Sequence, residues 1–243
     1  MQIITENVEI PVNNGVILLK GLIYSSKKTP KQSIWVINCH GLLEHKKCKF
    51  NRFFSENFAA QGYYVLTYDY RAHGETAKQT GKNWLKQMPF IYADLRKVIS
   101  WVLDTQKDRL IDEQIILFGR SLGGAIILTQ GFSDERVNKL IALCTRYDYN
   151  SFHVKFPEEL IKKMSPKYFL SKNEENTHRI LIGHCKDDKQ IPFENLEYIK
   201  THLDLGEENV MIFKTGGHSF HGKIEIVFKH IMKFLEKENF TIK

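Results

Sequence analysis

The sequence lacks the features of several protein classes. None of its four cysteines stands in a CxxC pair, and their spacing does not indicate a zinc site. Its apolar runs, such as Ile115–Phe118 and Ala125–Leu128, fall far short of the roughly 20 residues that span a bilayer. The first residues show no basic start followed by an apolar run. We therefore expect a cytoplasmic protein with free cysteines and without stable insertion into a membrane.

A concentrated basic stripe is also missing. The net charge is +7, but the lysines are spread along the chain, and the densest cluster is His45–Lys49. Nucleic-acid-binding proteins more often gather their charge on one stripe with interleaved aromatic residues. We therefore expect a solvated, lysine-rich surface and no nucleic-acid partner, with a nucleic-acid binder kept as an alternative.

No Pro/Gly/Ser-rich linker, internal repeat or low-complexity stretch divides the 243 residues. This length suits one sizeable domain and is short for two. The composition, with 42% hydrophobic and 26% charged residues, is ordinary for a soluble globular protein. The sequence therefore predicts a single domain over residues 1–243, and it does not indicate an oligomeric state.

Apolar strand-like runs alternate with amphipathic helical windows from residue 33 onward, which predicts βαβ units and a mostly parallel sheet. Before them, two apolar runs flank Asn13-Asn14-Gly15, a turn signal that predicts an antiparallel hairpin at one edge of the sheet. About eight strands and six helices are expected. The predicted strands are Val8–Val12, Val16–Tyr24, Ser33–Asn38, Tyr64–Tyr70, Gln114–Phe118, Lys139–Cys144, Arg179–Gly183 and Val210–Phe213. The predicted helices are Asn51–Gln61, Pro89–Asp104, Leu122–Gln130, Pro157–Met164, Phe193–Leu203 and Lys223–Lys237.

The segment Gly119–Gly123 fits the pattern G-x-S-x-G. The pattern alone is common, but here it lies between a β-branched strand and a helix rich in Gly, Ala and Ile. A sharp strand-to-helix turn would expose the hydroxyl of Ser121, and the flanking glycines remove Cβ atoms that would collide in that turn. These features predict that Ser121 is a nucleophile; a glycine-rich packing turn is the alternative.

A serine nucleophile needs a base, and the base needs an acid to orient it. Residues that follow successive parallel strands meet at the carboxyl edge of the sheet. His218 follows the predicted strand at 210–213, and Asp187 and Asp188 follow the one at 179–183. The positions predict His218 as the base, while both acids stay candidates for its orienter.

Five motifs in chain order resemble those of the α/β-hydrolases, in particular the small esterase and acyl-peptidase-like members with little or no lid. They are His40-Gly41, Asp69-Tyr70-Arg71-Ala72-His73-Gly74, Gly119–Gly124, Asp188–Pro192 and Gly217-His218. One departure is Ala72, where the family more commonly has glycine. The resemblance covers nearly the whole chain and implies an α/β-hydrolase fold, with helices on both faces of the sheet.

The resemblance also implies roles for individual residues. Asp188 becomes the orienter of His218, because it alone stands four residues before Pro192 as the family motif requires. The backbone N–H groups of Leu122 and Leu42 are expected to form the oxyanion hole. His40, His73 and Arg120 are expected to support the structure, with binding of a substrate carboxylate as the alternative for Arg120.

The segment between the strands at 139–144 and 179–183 is too short for a large lid. We expect residues 145–178 to form a short cap whose aromatic side chains line a substrate pocket, with simple packing on the sheet as the alternative. The candidates for substrate binding are Tyr147, Tyr149, Phe152 and Phe156. An open site with aromatic walls favours small acyl or aryl esters as substrates.

The sequence thus predicts a serine hydrolase that cleaves carboxylic esters through an acyl-enzyme on Ser121, without a cofactor. His218-x-x-His221 invites a metal site, but no third ligand lies near in sequence, so none is expected. One alternative is a peptidase or amidase acting on short or acylated peptides. Another is a catalytically silent α/β-hydrolase that only binds its partner.

Overall fold

The structure of the protein is a computed structural model, and it describes residues 2–152 and 154–242. Its framework is one eight-stranded sheet. The strands are β1 (Ile3–Val12), β2 (Ile17–Ser26), β3 (Ser33–Cys39), β4 (Tyr64–Tyr68), β5 (Leu110–Arg120), β6 (Lys139–Leu143), β7 (Ile180–Cys185) and β8 (Val210–Phe213). Their order is β1-β2-β4-β3-β5-β6-β7-β8. Only the pairings of β2 with β1 and with β4 are antiparallel, so the sheet is mostly parallel as expected.

Helices cover both faces of this sheet. They are α1 (Lys49–Ala60), α2 (Ala77–Thr80), α3 (Trp84–Thr105), α4 (Leu122–Ile126), α5 (Glu158–Met164), α6 (Asn176–Arg179), α7 (Glu194–Leu203) and α8 (Ile224–Lys237). The inner faces of α1 and α8 belong to one hydrophobic cluster, and those of α3, α4 and α7 belong to the other. No helix in the described ranges has the length and apolar character needed to cross a bilayer.

The central strands are apolar along their whole length because both of their faces are covered. In β5, Ile115 and Leu117 pack into the cluster under α3, while Ile116 and Phe118 pack into the cluster under α1 and α8. This alternation follows from the two-residue period of a strand. The sheet is therefore a rigid support for the loops at its carboxyl edge.

The predicted hairpin opens the fold at one edge of the sheet. Val12 pairs with Ile17, and the turn between them holds Asn13 and Asn14 at φ 52° and 53°. Asparagine is one of the few residues that adopts this left-handed conformation readily. The prediction of an antiparallel edge pair is confirmed.

Helix α3 begins at Trp84, earlier than the expected start at Pro89. The Asn83 side chain caps the helix by accepting a hydrogen bond from the Lys86 N–H at 3.2 Å. Pro89 therefore lies inside the helix, in its second turn, where proline lacks the N–H that would donate to the Leu85 carbonyl oxygen. Two helices of a single turn, α2 and α6, were not predicted, because four residues carry no periodic signal.

The segment at residues 145–178 lies between β6 and β7 and contains α5 and most of α6. Its apolar side chains Tyr149, Ile161, Met164 and Leu170 are buried in the same cluster as α3. This packing brings the start of the segment next to the carboxyl edge of the sheet.

Candidate active site

Ser121 lies in a strained turn between β5 and α4. Its backbone has φ 58° and ψ −120°, which is costly for a residue with a side chain. The glycines on either side permit this turn: a Cβ on Gly119 would approach the carbonyl carbon of Gly123 to 2.6 Å, and one on Gly123 would approach the Cys39 oxygen to 2.1 Å. The Ser121 side chain therefore projects from this tight turn at the carboxyl end of β5.

His218 is held by the carboxylate of Asp188. The distance from His218 Nδ1 to Asp188 Oδ2 is 2.8 Å, and Asp188 is buried. The second oxygen, Oδ1, accepts the backbone N–H groups of Gln190 and Ile191 at 2.8 and 3.1 Å. Because a carboxylate accepts at Nδ1, that nitrogen carries the proton, which leaves Nε2 as the basic atom.

A second histidine, His184, contacts the same carboxylate and was not singled out from the sequence. Its Nε2 lies 3.1 Å from Asp188 Oδ2 and 3.0 Å from the Ile191 carbonyl oxygen, two acceptors that require a proton on this nitrogen. Burial raises the pKa of Asp188, but hydrogen bonds from His184 and His218 outweigh it and hold the pKa well below its usual value. The available signal was the spacing of four residues between His184 and Asp188 at the end of β7.

The adjacent acid, Asp187, has a different place. It is exposed, and its carboxylate accepts the backbone N–H groups of Gly216 and Gly217 at 3.2 and 2.8 Å. These hydrogen bonds lower the pKa of Asp187. Of the two acids that the sequence offered, Asp188 contacts the imidazole of His218 and Asp187 contacts the backbone that carries it.

Ser121 and His218 both line a cavity of about 430 Å³. In the described part of the chain, no hydrogen bond joins the Ser121 hydroxyl to His218. Contacts between nucleophile and base are often long in enzymes without substrate and tighten when substrate binds. Leu42, Leu122, Arg120, Arg146, Tyr149 and Phe152 also line this cavity.

Two backbone amides beside Ser121 have no acceptor among the described residues. In the loop after β3, the Gly41 N–H donates to Glu44 Oε2 at 2.9 Å, and the Leu43 N–H donates to His73 Nε2 at 3.2 Å. The Leu42 N–H between them stays unpaired, as does the Leu122 N–H in the first turn of α4. Both residues line the cavity, so the two amides that the sequence analysis named are available to an oxyanion.

Two neutral histidines fix this loop. His40 Nδ1 donates to the Gly41 carbonyl oxygen at 2.8 Å, while its Nε2 accepts the Tyr70 N–H at 3.3 Å. Burial lowers the pKa of His40 to about 3, with His73 adding to the effect. Burial also lowers the pKa of His73, so both rings stay uncharged and keep one donor and one acceptor nitrogen each.

Arg120 connects this loop with the loop that carries His218. Its guanidinium pairs with Glu44, donates to the His218 carbonyl oxygen at 3.3 Å and to the Ser219 hydroxyl, and lies 4.1 Å from the centre of the Phe50 ring. Burial raises the pKa of Glu44, but the Arg120 charge outweighs it and the pKa is lowered. Arg120 therefore has protein partners on several sides, and Glu44 is a second residue that the sequence analysis missed.

The aromatic residues of the short segment after β6 divide into two groups. Tyr149 and Phe152 line the cavity with Ser121. Tyr147 does not line it, because its hydroxyl lies 2.9 Å from His202 Nδ1 on α7. Phe156 does not line it either, because its ring stacks on Phe152 with 5.9 Å between centroids.

One group of side chains among the described residues has the spacing of metal ligands. The sulfur of Cys144, a carboxylate oxygen of Asp188 and a ring nitrogen of His218 lie within 4.8 Å of one another. Burial and the neighbouring Asp188 charge raise the pKa of Cys144 well above its usual value, so the thiol keeps its proton. Within this group, His218 Nδ1 and Asp188 Oδ2 lie 2.8 Å apart and hydrogen-bond each other, so these two side chains are partners without a metal ion. His221 is exposed and does not belong to the group.

Two curated proteins resemble the chain over a short stretch. The quorum-quenching protein AidA of Acinetobacter baumannii is 26% identical over 109 residues, which cover 45% of this chain and 34% of that protein. A 31.7 kDa protein in the traX-finO intergenic region of Escherichia coli is 30% identical over 109 residues, covering 44% and 35%. The matched part thus spans about a third of the length of these relatives.

Solved structures match nearly the whole fold. Est1E from Butyrivibrio proteoclasticus, solved with ferulic acid bound, superimposes with a TM-score of 0.77 at 18% identity and covers 95% of this chain and 98% of its own. The acylaminoacyl peptidase of Pyrococcus horikoshii gives a TM-score of 0.78 at 15% identity, covering 100% of this chain and 43% of its own. An α/β serine hydrolase without a lid from Xanthomonas campestris gives 0.68 at 15% identity, covering 96% and 94%.

These structural matches establish the fold, and a match of the sequence to a family model establishes the family. A family model described as serine aminopeptidase, S33, matches residues 30–190, which is more than half of the chain. This range contains the loop after β3, the turn at Ser121 and the acid at Asp188. The protein therefore belongs to the serine aminopeptidase S33 family of α/β-hydrolases.

Proposed function

We propose that the protein is a serine esterase that cleaves small carboxylic esters through an acyl-enzyme on Ser121. The observation that carries this proposal is the cavity at the carboxyl edge of the sheet. It holds the Ser121 hydroxyl, the imidazole of His218 in contact with Asp188, and two backbone amides that have no acceptor among the described residues. These are the four elements that acyl transfer by a serine requires.

The chemistry follows from these positions. His218 Nε2 takes the proton of Ser121 as the oxygen attacks the ester carbonyl, and the Leu42 and Leu122 amides bind the negative oxygen that forms. The protonated imidazole then gives its proton to the departing alcohol, leaving the acyl group on Ser121. Water activated by the same nitrogen releases the acid and restores the serine. Asp188 stays ionised and stabilises the imidazolium.

A peptidase or amidase is the second candidate, and the comparisons support it. The matched family is described as serine aminopeptidase, and the acylaminoacyl peptidase of Pyrococcus horikoshii shares the fold. Both reactions use the same serine, base and oxyanion site. They differ in the leaving group, because an amine must be protonated before it departs.

The test is the rate of hydrolysis of p-nitrophenyl acetate and butyrate beside aminoacyl p-nitroanilides. The esterase proposal predicts the higher kcat/KM on the esters, and a preference for the anilides would favour the peptidase. A fluorophosphonate probe should label the native protein and not Ser121→Ala. A native protein that neither reacts with the probe nor turns over any substrate would indicate a silent binding module.

The two adjacent acids offer a matched pair of variants for the same assay. Asp188→Asn removes the charge that orients His218 and should lower kcat by about 10³–10⁴-fold. Asp187→Asn changes the next residue in the same way but leaves that contact in place, so its effect should be far smaller. Equal losses in the two variants would contradict the role given to Asp188.

A further inference from the structure

Three buried arginines in the described part of the chain differ in their partners. Arg71, Arg120 and Arg146 are exposed by only 6%, 4% and 7%. Arg71 pairs with the carboxylate of Asp94, and Arg120 pairs with that of Glu44. No carboxylate among the described residues lies within ion-pair distance of Arg146. This buried cation therefore lacks the partner that the other two have.

The contacts of Arg146 leave most of its guanidinium unused. Its Nη1 donates to the Ser151 hydroxyl at 2.9 Å, and the guanidinium carbon lies 5.2 Å from the centre of the Phe152 ring. A guanidinium has five N–H donors, so one hydrogen bond is a small fraction of its capacity. The nearby acid Asp148 is paired with Lys167 at 3.1 Å instead. Burying a cation without a matching anion costs free energy, which a bound anion would offset.

The position of Arg146 places this cation in the candidate active site. It follows the end of β6, as Ser121 follows β5 and Asp188 follows β7, and these strand ends meet at one edge of the sheet. Arg146 lines the same cavity as Ser121 and His218. The cavity wall around it is formed by Tyr149 and Phe152, so the positive charge faces a partly apolar space.

We infer that Arg146 binds a carboxylate of the substrate, so that the preferred esters carry a carboxylate group in addition to the ester bond. This inference deepens the proposed function and rests on it. A guanidinium recognises a carboxylate by two parallel N–H···O hydrogen bonds, and these are stronger than hydrogen bonds between neutral groups. Arg120 is less suited to this role, because both of its terminal nitrogens already donate to Glu44, His218 and Ser219, and its Nε alone lacks a partner among the described residues.

The experiment compares esters that differ only in the charge. On the acyl side, mono-p-nitrophenyl adipate is paired with p-nitrophenyl hexanoate, in which a methyl group replaces the carboxylate. On the alcohol side, 4-carboxyphenyl hexanoate is paired with phenyl hexanoate. The native enzyme should have the higher kcat/KM for the charged member of at least one pair, and the arm that shows it identifies which part of the substrate contacts Arg146.

Substitution of the arginine should remove this preference. In Arg146→Gln the ratio of kcat/KM between charged and neutral ester should fall about tenfold or more, the usual effect of losing one charged hydrogen-bonding partner. Arg146→Lys should retain part of the preference, because it keeps the charge and loses the planar fork. Arg96→Gln removes an exposed arginine outside the cavity and serves as the control for net charge, with an unchanged ratio.

A binding measurement separates this inference from the esterase proposal. Two pairs of esters are titrated by calorimetry into Ser121→Ala and into Ser121→Ala combined with Arg146→Gln. The acyl-side pair is monomethyl adipate and methyl hexanoate, and the alcohol-side pair is 4-carboxyphenyl hexanoate and phenyl hexanoate. Tighter binding of the charged ester that disappears in the double variant supports the inference even if no ester is turned over. Equal binding of the charged and the neutral ester in both pairs, or a native kinetic preference for the neutral esters in both pairs, overturns the inference and leaves the esterase proposal standing. Equal losses on charged and neutral esters in Arg146→Gln would show that Arg146 only holds Ser151 and Phe152 in place.

Discussion

Single residues in this protein carry backbone strain at two kinds of position. Ser121 has φ 58° because the turn between β5 and α4 requires it. Ala72 has φ 62° in the loop after β4, where the related family motif more commonly has glycine. The strain at Ser121 presents a hydroxyl to the cavity, whereas the methyl group of Ala72 has no such role. A substitution should therefore be able to remove the backbone strain at Ala72.

We expect Ala72→Gly to stabilise the protein. A left-handed conformation costs a residue with a Cβ about 1–2 kcal/mol, and glycine avoids most of this cost. The Ala72 N–H hydrogen bond to Thr80 Oγ1 at 2.8 Å is kept. The net gain in the free energy of unfolding should be about 1 kcal/mol, or about 2–4 °C in Tm.

The same substitution elsewhere provides the control for this prediction. Ala93 is exposed in the interior of α3, so Ala93→Gly should lower the free energy of unfolding by about 1 kcal/mol. Thermal and denaturant unfolding of both variants are measured together. Destabilisation by both substitutions would mean that the Ala72 loop relaxes its strain in solution.

At the scale of the elements, two loops at the carboxyl edge of the sheet are joined through Arg120 and Glu44. Glu44 also accepts the Gly41 N–H, so one carboxylate holds both the loop after β3 and the arginine that contacts the His218 loop. Its loss would leave a buried guanidinium without its anion and a loop amide without its acceptor. The geometry of the unpaired Leu42 N–H depends on both contacts.

Glu44→Ala should therefore lower kcat by about 10–100-fold with a smaller change in KM, less than the 10²–10³-fold cost of removing an oxyanion donor outright. Steady-state kinetics on p-nitrophenyl butyrate measure both constants. Glu56→Ala on α1 removes a partly exposed acid that forms an ion pair with Arg52 and should leave both constants unchanged. A rise in KM alone in Glu44→Ala would assign Glu44 to substrate binding and would contradict its role in positioning the loop.

The elements themselves were predictable where the sequence has a clear period. The apolar run of β5 and the amphipathic pattern of α8 each reflect which residues are buried. Both elements lie where the sequence predicts them. The sequence places the start of α3 at Pro89, five residues too late, because the cap at Asn83 marks the true start. A capping side chain is one residue long and has no periodic signal, so it is easily overlooked.

The sequence was sufficient to predict which strand ends carry the candidate site residues. It was not sufficient to predict the contacts that hold these residues in place. Motif order and strand ends suffice to bring Ser121, His218 and Asp188 to one edge. His184 and Arg146 were missed, since a buried histidine and a loop arginine look the same in sequence whether they serve packing or the cavity. Their significance depends on which partner each one has, and only the folded structure shows that.

At the scale of the whole molecule, the carboxyl edge of the sheet contains several titratable groups that are buried in fixed protonation states. His40 and His73 are buried as neutral rings, while Asp188 is held as a carboxylate. Each of these groups resists a change in protonation when the pH falls, but the unfolded chain takes up protons freely. The histidines and the carboxylate change the stability of the protein in different pH ranges, so their effects on stability can be separated.

The histidines should make the protein lose stability well above the pH at which carboxylates titrate. The pKa of His40 is about 3 in the folded state and about 6.5 in the unfolded chain, so below about pH 6.5 the unfolded state binds more protons and is favoured. The loss grows as the pH falls toward 3. Between about pH 7.5 and about pH 5 it should reach about 2 kcal/mol for His40 alone, and His73 changes the stability in the same direction. The depressed pKa of Asp188 contributes stability that is lost only below about pH 4, outside this window.

Guanidinium unfolding across this pH range measures the effect, and His40→Gln isolates it. The variant should be less stable than the native protein near neutral pH, because the hydrogen bond to the Gly41 carbonyl oxygen is lost. Its stability should nevertheless fall less steeply toward about pH 5, since glutamine does not titrate. His230→Gln removes an exposed histidine on α8 and should leave the native slope unchanged. If His40→Gln kept the full native slope, the fixed neutral state of His40 would be refuted and the origin of the acid sensitivity would lie elsewhere in the molecule.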